Sequence, residues 1–468
     1  PLTSAIEPGS AEQSIASAVN RAAGGRPVPG NEVRILIDGP ESYPRMLDVI
    51  AKAVRWIHFE NYIIRSDATG RRFSEALMAR AREGVRVRVL YDALGSSGTR
   101  RKYWRGLRDA GVEVRAFHPF RPLDLAANFS RNHRKLVVAD GDRAVMGGLC
   151  IGDEWTGEAS EAEQPWRDTA VEIAGPACAL LDQAFVDTWS IAGGRVPEEN
   201  TAGEVEPRGE AAVRVIAGAP GRERTYRVTE LMAAGSMNRI WITDAYFVAP
   251  PRLLQELQDA ARDGVDVRLL LPGSSDLPFV RNLSRIGYRE LLRSGVRIYE
   301  WEGPMLHAKT IVADGRWSRI GSSNLNASSL MGNWELDVLI DNGPLAEAMG
   351  NQFRLDIARS REVTRRPVRA PARISSALPT ALSHQEPEVA VPEHHKSARE
   401  LQKRAAVALR IVLANARRSI FLPLTLLLIV LGAFFFALPT TAAYTFGALC
   451  AWLAISAWRE AFRRRADR

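Results

Sequence analysis

One cluster of residues occurs twice in this chain, and an internal repeat limits the possible folds more than any single motif does. His133-Arg134-Lys135 is followed by Asp140 and Gly147; His307-Ala308-Lys309 is followed by Asp314 and Gly321 at the same intervals. The duplication reaches well beyond this cluster. Val33-Arg34-Ile35-Leu36-Ile37 and Val213-Arg214-Val215-Ile216 read as opening strands, each with a helical stretch behind it. Trp56 to Tyr62 aligns with Ile240 to Tyr246, Gly84 to Leu90 with Gly264 to Leu270, and Gly111 to Val114 with Gly295 to Ile298. The runs are short and apolar, and the glycine-led ones follow helices that a glycine ends. Alternating strands and helices predict two α/β halves with mixed, largely parallel sheets, brought together by a pseudo-two-fold axis. The interval falls from 184 residues at Gly111 and Gly295 to 174 at His133 and His307, so the first half carries about ten extra residues, among them Pro119, Arg121 and Pro122. They read as a loop beside the cluster.

Successive odd or even residues of a strand share a face, so each copy can present an imidazole and an ammonium to one ligand. That pair suits phosphate chemistry: lysine neutralises anionic oxygens while histidine attacks phosphorus or moves a proton. Two half-sites of one phosphoryl-transfer centre are the expectation. Three separated cysteines, Cys150, Cys178 and Cys450, form no metal-binding or disulfide pattern and fit a reducing compartment. The net charge of +8 points to anionic partners, either nucleic acid or an acidic membrane surface.

The repeated H-x-K-x4-D resembles the signature of the phospholipase D superfamily. The second copy carries the whole pattern, with Ser322 and Asn324 after Gly321; the first reads Gly147-Gly148-Leu149-Cys150, with cysteine in the asparagine position. Over roughly residues 30 to 360, the resemblance implies a duplicated bilobal fold of two mixed sheets sandwiched by helices, a covalent phosphohistidine and no metal or other cofactor. It makes His133, Lys135, Asp140, His307, Lys309 and Asp314 the catalytic set. One imidazole attacks the phosphodiester; the other protonates the leaving alcohol and deprotonates the incoming one. His133 is the nucleophile by family tendency, the lysines hold non-bridging oxygens, and the aspartates brace the motif. Ser322 and Asn324 add hydrogen bonds to the substrate. Glu335 in Asn333-Trp334-Glu335 matches the family position for a carboxylate that holds a second ring nitrogen, and Asp168 in Trp166-Arg167-Asp168 is its first-half counterpart. Tyr91 to Ser96 and Gly152 to Trp155 resemble bacterial cardiolipin synthases, which implies phosphatidyl transfer to a second phospholipid alcohol such as phosphatidylglycerol. A phospholipase D-type hydrolase is the runner-up, ahead of a membrane-tethered nuclease and a catalytically silent scaffold.

The domain organisation read from the chain is an N-terminal extension (1–30), a first half (31–193), a linker (194–209), a second half (210–362), a Pro-rich linker (363–397), a basic helix (398–418), a hairpin (419–458) and a basic tail (459–468). Ser419 to Trp458 holds forty residues without a charge, interrupted at Pro439-Thr440-Thr441. About twenty apolar residues span a bilayer core, so two membrane helices are expected. Arg417 and Arg418 precede them, and Arg459, Arg463, Arg464 and Arg465 follow, which places both ends and the catalytic body in the cytoplasm of a bacterial inner membrane. Anionic phospholipids are the expected partners; no interleaved basic and aromatic platform favours nucleic acid.

Overall fold

The computed structural model describes residues 8–119, 130–156 and 165–364, with side chains from residue 16 onward. Arg121, Pro122, the Pro-rich linker beyond residue 364, the basic helix, the hairpin and the tail lie outside the described residues. Among the described residues no helix is long and apolar enough to cross a membrane.

The first half builds β1 (Val28–Ile37), β2 (Trp56–Asn61), β3 (Arg86–Asp92), β4 (Glu113–Phe117), β5 (Lys135–Ala139), β6 (Arg143–Gly147) and β7 (Thr169–Ala174). The second repeats them as β8 (Ala211–Ala217), β9 (Arg239–Thr243), β10 (Asp266–Pro272), β11 (Arg297–Trp301), β12 (Thr310–Ala313), β13 (Trp317–Gly321) and β14 (Leu336–Asp341), and adds β15 (Ser360–Glu362) at one edge. Strands β2, β3 and β4 are parallel, as are β9, β10 and β11; the others pair antiparallel. The expected two sheets are joined. Their order, β15-β11-β10-β9-β12-β13-β14-β8-β1-β7-β6-β5-β2-β3-β4, is a single 15-stranded sheet whose halves mirror each other about β8 and β1. The seam is irregular, with Val28 opposite Val213 and Asn31 opposite Ala211. There the Asn31 amide donates to the Val28 and Ala211 carbonyls at 2.8 and 3.2 Å. Buried backbone groups at a strand edge must be paired, and each half pairs the other's edge.

The structure also shifts one sequence alignment. Ile57 lies opposite Ala139 and Val87, whereas Ile240 lies opposite the equivalent Ala313 and Val267. Ile57 and Ile240 therefore correspond, not Trp56 and Ile240. A one-residue slip exchanges the faces of a strand, so Asn61 matches Asp244.

Helices α2 (Asp38–Lys52), α3 (Ala68–Arg82) and α4 (Arg101–Asp109) cover one arm of the sheet through Met46, Ile50, Phe73, Leu77, Trp104 and Leu107. The other arm is covered by α6 (Arg224–Gly235), α7 (Pro251–Arg262) and α8 (Pro278–Arg293), with α1 (Pro8–Ala23) packed alongside through Val19, Ala22 and Ala23. The glycines that end the helices ahead of β3, β4, β10 and β11 all have φ between 91° and 95°, a left-handed turn that only glycine adopts without strain. Between the arms lie α5 (Ala177–Ile191) and α9 (Gly343–Ala358). Here Leu136, Val138, Leu181 and Phe185 share one core with Val312, Ile320, Val338 and Met349. A common apolar core of this kind fixes the two His-Lys strands relative to each other.

Candidate active site

Each cluster enters its strand through a short parallel bridge to the opposite half. The His133 N–H donates to the Trp334 carbonyl at 2.9 Å and the Trp334 N–H to the Arg131 carbonyl at 2.9 Å; the His307 N–H donates to the Arg167 carbonyl at 2.7 Å and the Arg167 N–H to the Met305 carbonyl at 2.9 Å. These bridges carry the carboxylates across. His133 Nδ1 donates to Glu335 Oε2 at 3.0 Å, and His307 Nδ1 donates to Asp168 Oδ2 at 2.6 Å. Nδ1 must be the protonated nitrogen, because an ionised carboxylate only accepts. Nε2 of each ring is left unprotonated. Lys135 and Lys309 reach back to the His133 and His307 carbonyls.

All these groups are buried. Burial, with Lys309 adding to it, lowers the His307 pKa to about 3. Burial likewise lowers His133, against the pull of Glu335. Both lysines are depressed by burial, Lys309 to about 8. Burial alone would raise the two carboxylates, yet His307 and Lys309 outweigh it at Asp168, and His133 and Lys135 outweigh it at Glu335, so both stay below the usual range. The site thus sets a lysine beside each imidazole and a carboxylate against each ring's Nδ1, cations and proton carriers of the kind that handle a phosphate.

The halves satisfy their carboxylates differently. Glu335 accepts from the hydroxyls of Ser322 (2.5 Å) and Ser329. Gly148 occupies the position equivalent to Ser322. A Cβ there would lie 2.1 Å from Asp168 Oδ1, so the close approach of the carboxylate requires glycine. In place of hydroxyls, the Trp155 indole N–H donates to Asp168 Oδ2 at 3.1 Å and the Thr169 N–H to Oδ1 at 2.8 Å. Trp155 and Ser329 had no assigned role in the sequence reading. Trp155 lies in the segment singled out as family-like, but nothing local to Ser329 marks it, because its partner is reached through a single π-helical turn, Ser328–Gly332. Cys150 is buried against the same core as Ile64 and Leu149. Asn324, in the equivalent position, leaves its Oδ1 without a hydrogen-bond partner among the described residues.

Asp140 and Asp314 stand apart from the reacting groups. They close the β5–β6 and β12–β13 hairpins at φ 53° and 51°, each followed by a glycine also at positive φ. Asp140 accepts from the backbone N–H groups of Val54, Arg55 and Trp56, and Asp314 from those of Met237, Asn238 and Arg239, at 2.7 to 2.9 Å. Four strand residues lie between each lysine and its aspartate, a rise of roughly 16 Å along the strand. Both are turn residues that tie one strand's end to the next strand's start, as aspartate does at left-handed positions. Gly147 and Gly321 also have a structural reason, since a Cβ at either would meet a neighbouring strand carbonyl at 2.5 Å. A groove of about 600 Å³ lies at the hairpin end between Arg55, Asp140 and Arg208, away from the His-Lys strand starts.

The family described as "Cardiolipin synthase, PLD-like domain" matches residues 46–165 and 228–357. Cardiolipin synthase 2 of Bacillus anthracis is 36% identical over 71% of this chain and 66% of its own length. The major cardiolipin synthase of Bacillus subtilis (strain 168) is 34% identical over 71% of this chain and 70% of its own. The chain spans about two thirds of the length of the curated relatives it matches. The phosphatidylserine synthase of Haemophilus influenzae Rd KW20 superposes with a TM-score of 0.58 at 15% identity, over 75% of this chain and 92% of that one, a likeness of fold.

Proposed function

Because the chain belongs to the cardiolipin synthase family of phospholipase D-like proteins, we propose that it is a phosphatidyltransferase that joins two phospholipids through a phosphohistidine. The observation that carries this reading is the pair of imidazoles, each with Nδ1–H held by a carboxylate of the opposite half and each followed two residues on by a buried lysine. The phosphodiester of phosphatidylglycerol would bind between Lys135 and Lys309, with Asn324 donating to it. Nε2 of His133 attacks phosphorus, the bond to glycerol breaks, and His307 gives the departing alkoxide a proton. His307 then takes the proton of a second phosphatidylglycerol hydroxyl, which attacks phosphorus and releases His133. The net reaction yields one cardiolipin and one glycerol. Acid–base duty is given to His307, which has the shorter carboxylate bond, as the complement of a His133 nucleophile assigned by family tendency. Lys309 is the main charge that depresses His307 after burial, and a bound phosphate anion offsets it, raising the imidazole toward a proton-carrying range.

Residues 419–458 would form a membrane hairpin, with the catalytic body on the cytoplasmic face of a bacterial membrane and anionic phospholipids as the partners. Holding the site against a bilayer raises the local concentration of acceptor lipid over the level free in solution. Purified full-length protein given phosphatidylglycerol vesicles is expected to release cardiolipin and glycerol in equal amounts. Phosphatidic acid as the main product at every lipid density would overturn the transferase reading in favour of a hydrolase. Recovery of the protein in the aqueous fraction without detergent would remove the hairpin.

A further inference from the structure

Exposed apolar side chains gather along helix α8, whose leading segment is tied to the catalytic site. Helix α8 turns Tyr288 and Leu291 into the core, as a covering helix should, but it also carries Phe279, Leu283 and Ile286 on its water side. These stand at i, i+4 and i+7, one continuous stripe, with Leu277 exposed just before it and Phe279 70% accessible. The start of α8 is bound to the reacting groups. Asp276 accepts from the Tyr246 hydroxyl at 2.8 Å, and the Tyr246 ring lies edge-on to His307 with centroids 6.1 Å apart. In the first half, the loop before α4 occupies the matching place. Its Ser96 hydroxyl donates to the Tyr62 carbonyl at 3.1 Å, and Tyr62 lies edge-on to His133 at 4.9 Å. That loop exposes Leu94, and beside it Arg100, Arg101, Lys102 and Arg105 face water with no carboxylate partner among the described residues.

We infer that this rim, the α8 stripe together with the cations of α4, is a docking surface for an anionic lipid bilayer. An apolar helix face enters the boundary between headgroups and acyl chains, and flanking arginines and lysines meet the phosphates; a surface that offers both, around a phosphodiester-handling site, fits a membrane by shape and by charge. A second copy of the chain would have to supply carboxylates for the α4 cluster, and on the rim itself Glu290 is already held by Arg293 at 2.6 Å. The surface is separate from the reaction chemistry, and it sets which way the site faces.

The test uses the full chain with Cys450→Ser and one introduced cysteine, either Phe279→Cys at the rim or Val54→Cys at the hairpin end, where Val54 is 76% exposed. Cys150 and Cys178 are buried and stay unlabelled. An environment-sensitive dye at position 279 is expected to shift to the blue, and to be quenched by brominated acyl chains, in phosphatidylglycerol vesicles and far less in phosphatidylcholine; the dye at position 54 stays in water. A dye at 279 that remains in water, or equal shifts at both positions, would overturn the inference. So would a blue shift without lipid that grows with protein concentration, which assigns the stripe to a second copy. No turnover is needed for this readout, so its failure is distinct from failure of the proposed reaction. The double variant Phe279→Ser/Leu283→Ser is expected to lose roughly tenfold in transfer on vesicles while staying within about twofold of wild type on short-chain lipid monomers. Equal losses on both substrates also refute the docking role.

Discussion

Replacing Asp168 by Asn and Glu335 by Gln removes the same charge from two equivalent positions, yet the surroundings make the costs unequal. Glu335 accepts from two serine hydroxyls besides His133. A hydroxyl can turn from donor to acceptor, so the carboxamide of Glu335→Gln can place its oxygen toward His133 and Ser322 and its NH2 toward Ser329. The imidazole keeps its tautomer. Only the charge assistance is lost, about 1.5–3 kcal/mol, or roughly 10–150-fold in rate. Asp168 accepts from the Thr169 backbone N–H, the Trp155 indole N–H and His307. The first two can only donate. Whichever way the carboxamide of Asp168→Asn is turned, one N–H faces another, and the orientation that spares Thr169 drives the His307 proton from Nδ1 to Nε2. An unsatisfied buried donor adds about 1–3 kcal/mol to the lost charge, and a wrong tautomer in a serine-protease triad lowers turnover roughly 10⁴-fold. We expect Asp168→Asn to lower kcat by about 10³–10⁴-fold and Glu335→Gln by no more than about 10²-fold. The assay is glycerol release from phosphatidylglycerol vesicles, with folding checked by thermal melts. Equal losses, or a larger loss for Glu335→Gln, would refute the donor-only argument.

Trp155→Phe keeps the ring that packs on Trp166 and His307 but removes the indole N–H; a loss of roughly tenfold in kcat with little change in melting temperature is expected, and unchanged activity would mean that the bond does not orient Asp168. Gly148→Ser makes the first motif resemble the second, yet its Cβ would overlap Asp168; activity is expected to fall at least as far as in Asp168→Asn, and a wild-type rate would refute the packing argument. The phosphate clamp needs a charged Lys309, whose pKa is held at about 8. kcat/KM should therefore fall as pH rises through about 8, while the alkaline limb of kcat moves higher because bound phosphate favours the ammonium; a kcat/KM profile flat to pH 10 would contradict the depressed lysine.

Several features of this protein were legible without coordinates because the physics behind them is local. Strand periodicity alone sets His133 beside Lys135 and His307 beside Lys309, and the glycine-ended helices recur because a left-handed turn is a property of one residue. Local pattern did not settle the register of β2 against β9, since apolar runs such as Trp56–Asn61, buried on both faces, carry no alternation to fix a one-residue offset. Nor did it reveal one sheet in place of two, a choice made at a seam of a few residues around Asn31 and Ala211. That the motif aspartates sit in left-handed hairpin turns is decided by the tertiary geometry. Packing between the halves decided the central feature of the site. His133 takes its carboxylate from Glu335, 202 residues away, and His307 takes its own from Asp168, 139 residues back. Each half has both an imidazole and a carboxylate, and periodicity permits either pairing. The shared core of Leu136, Phe185, Val312 and Val338 selects the crossed one, because it fixes which bridge segment lies against which ring.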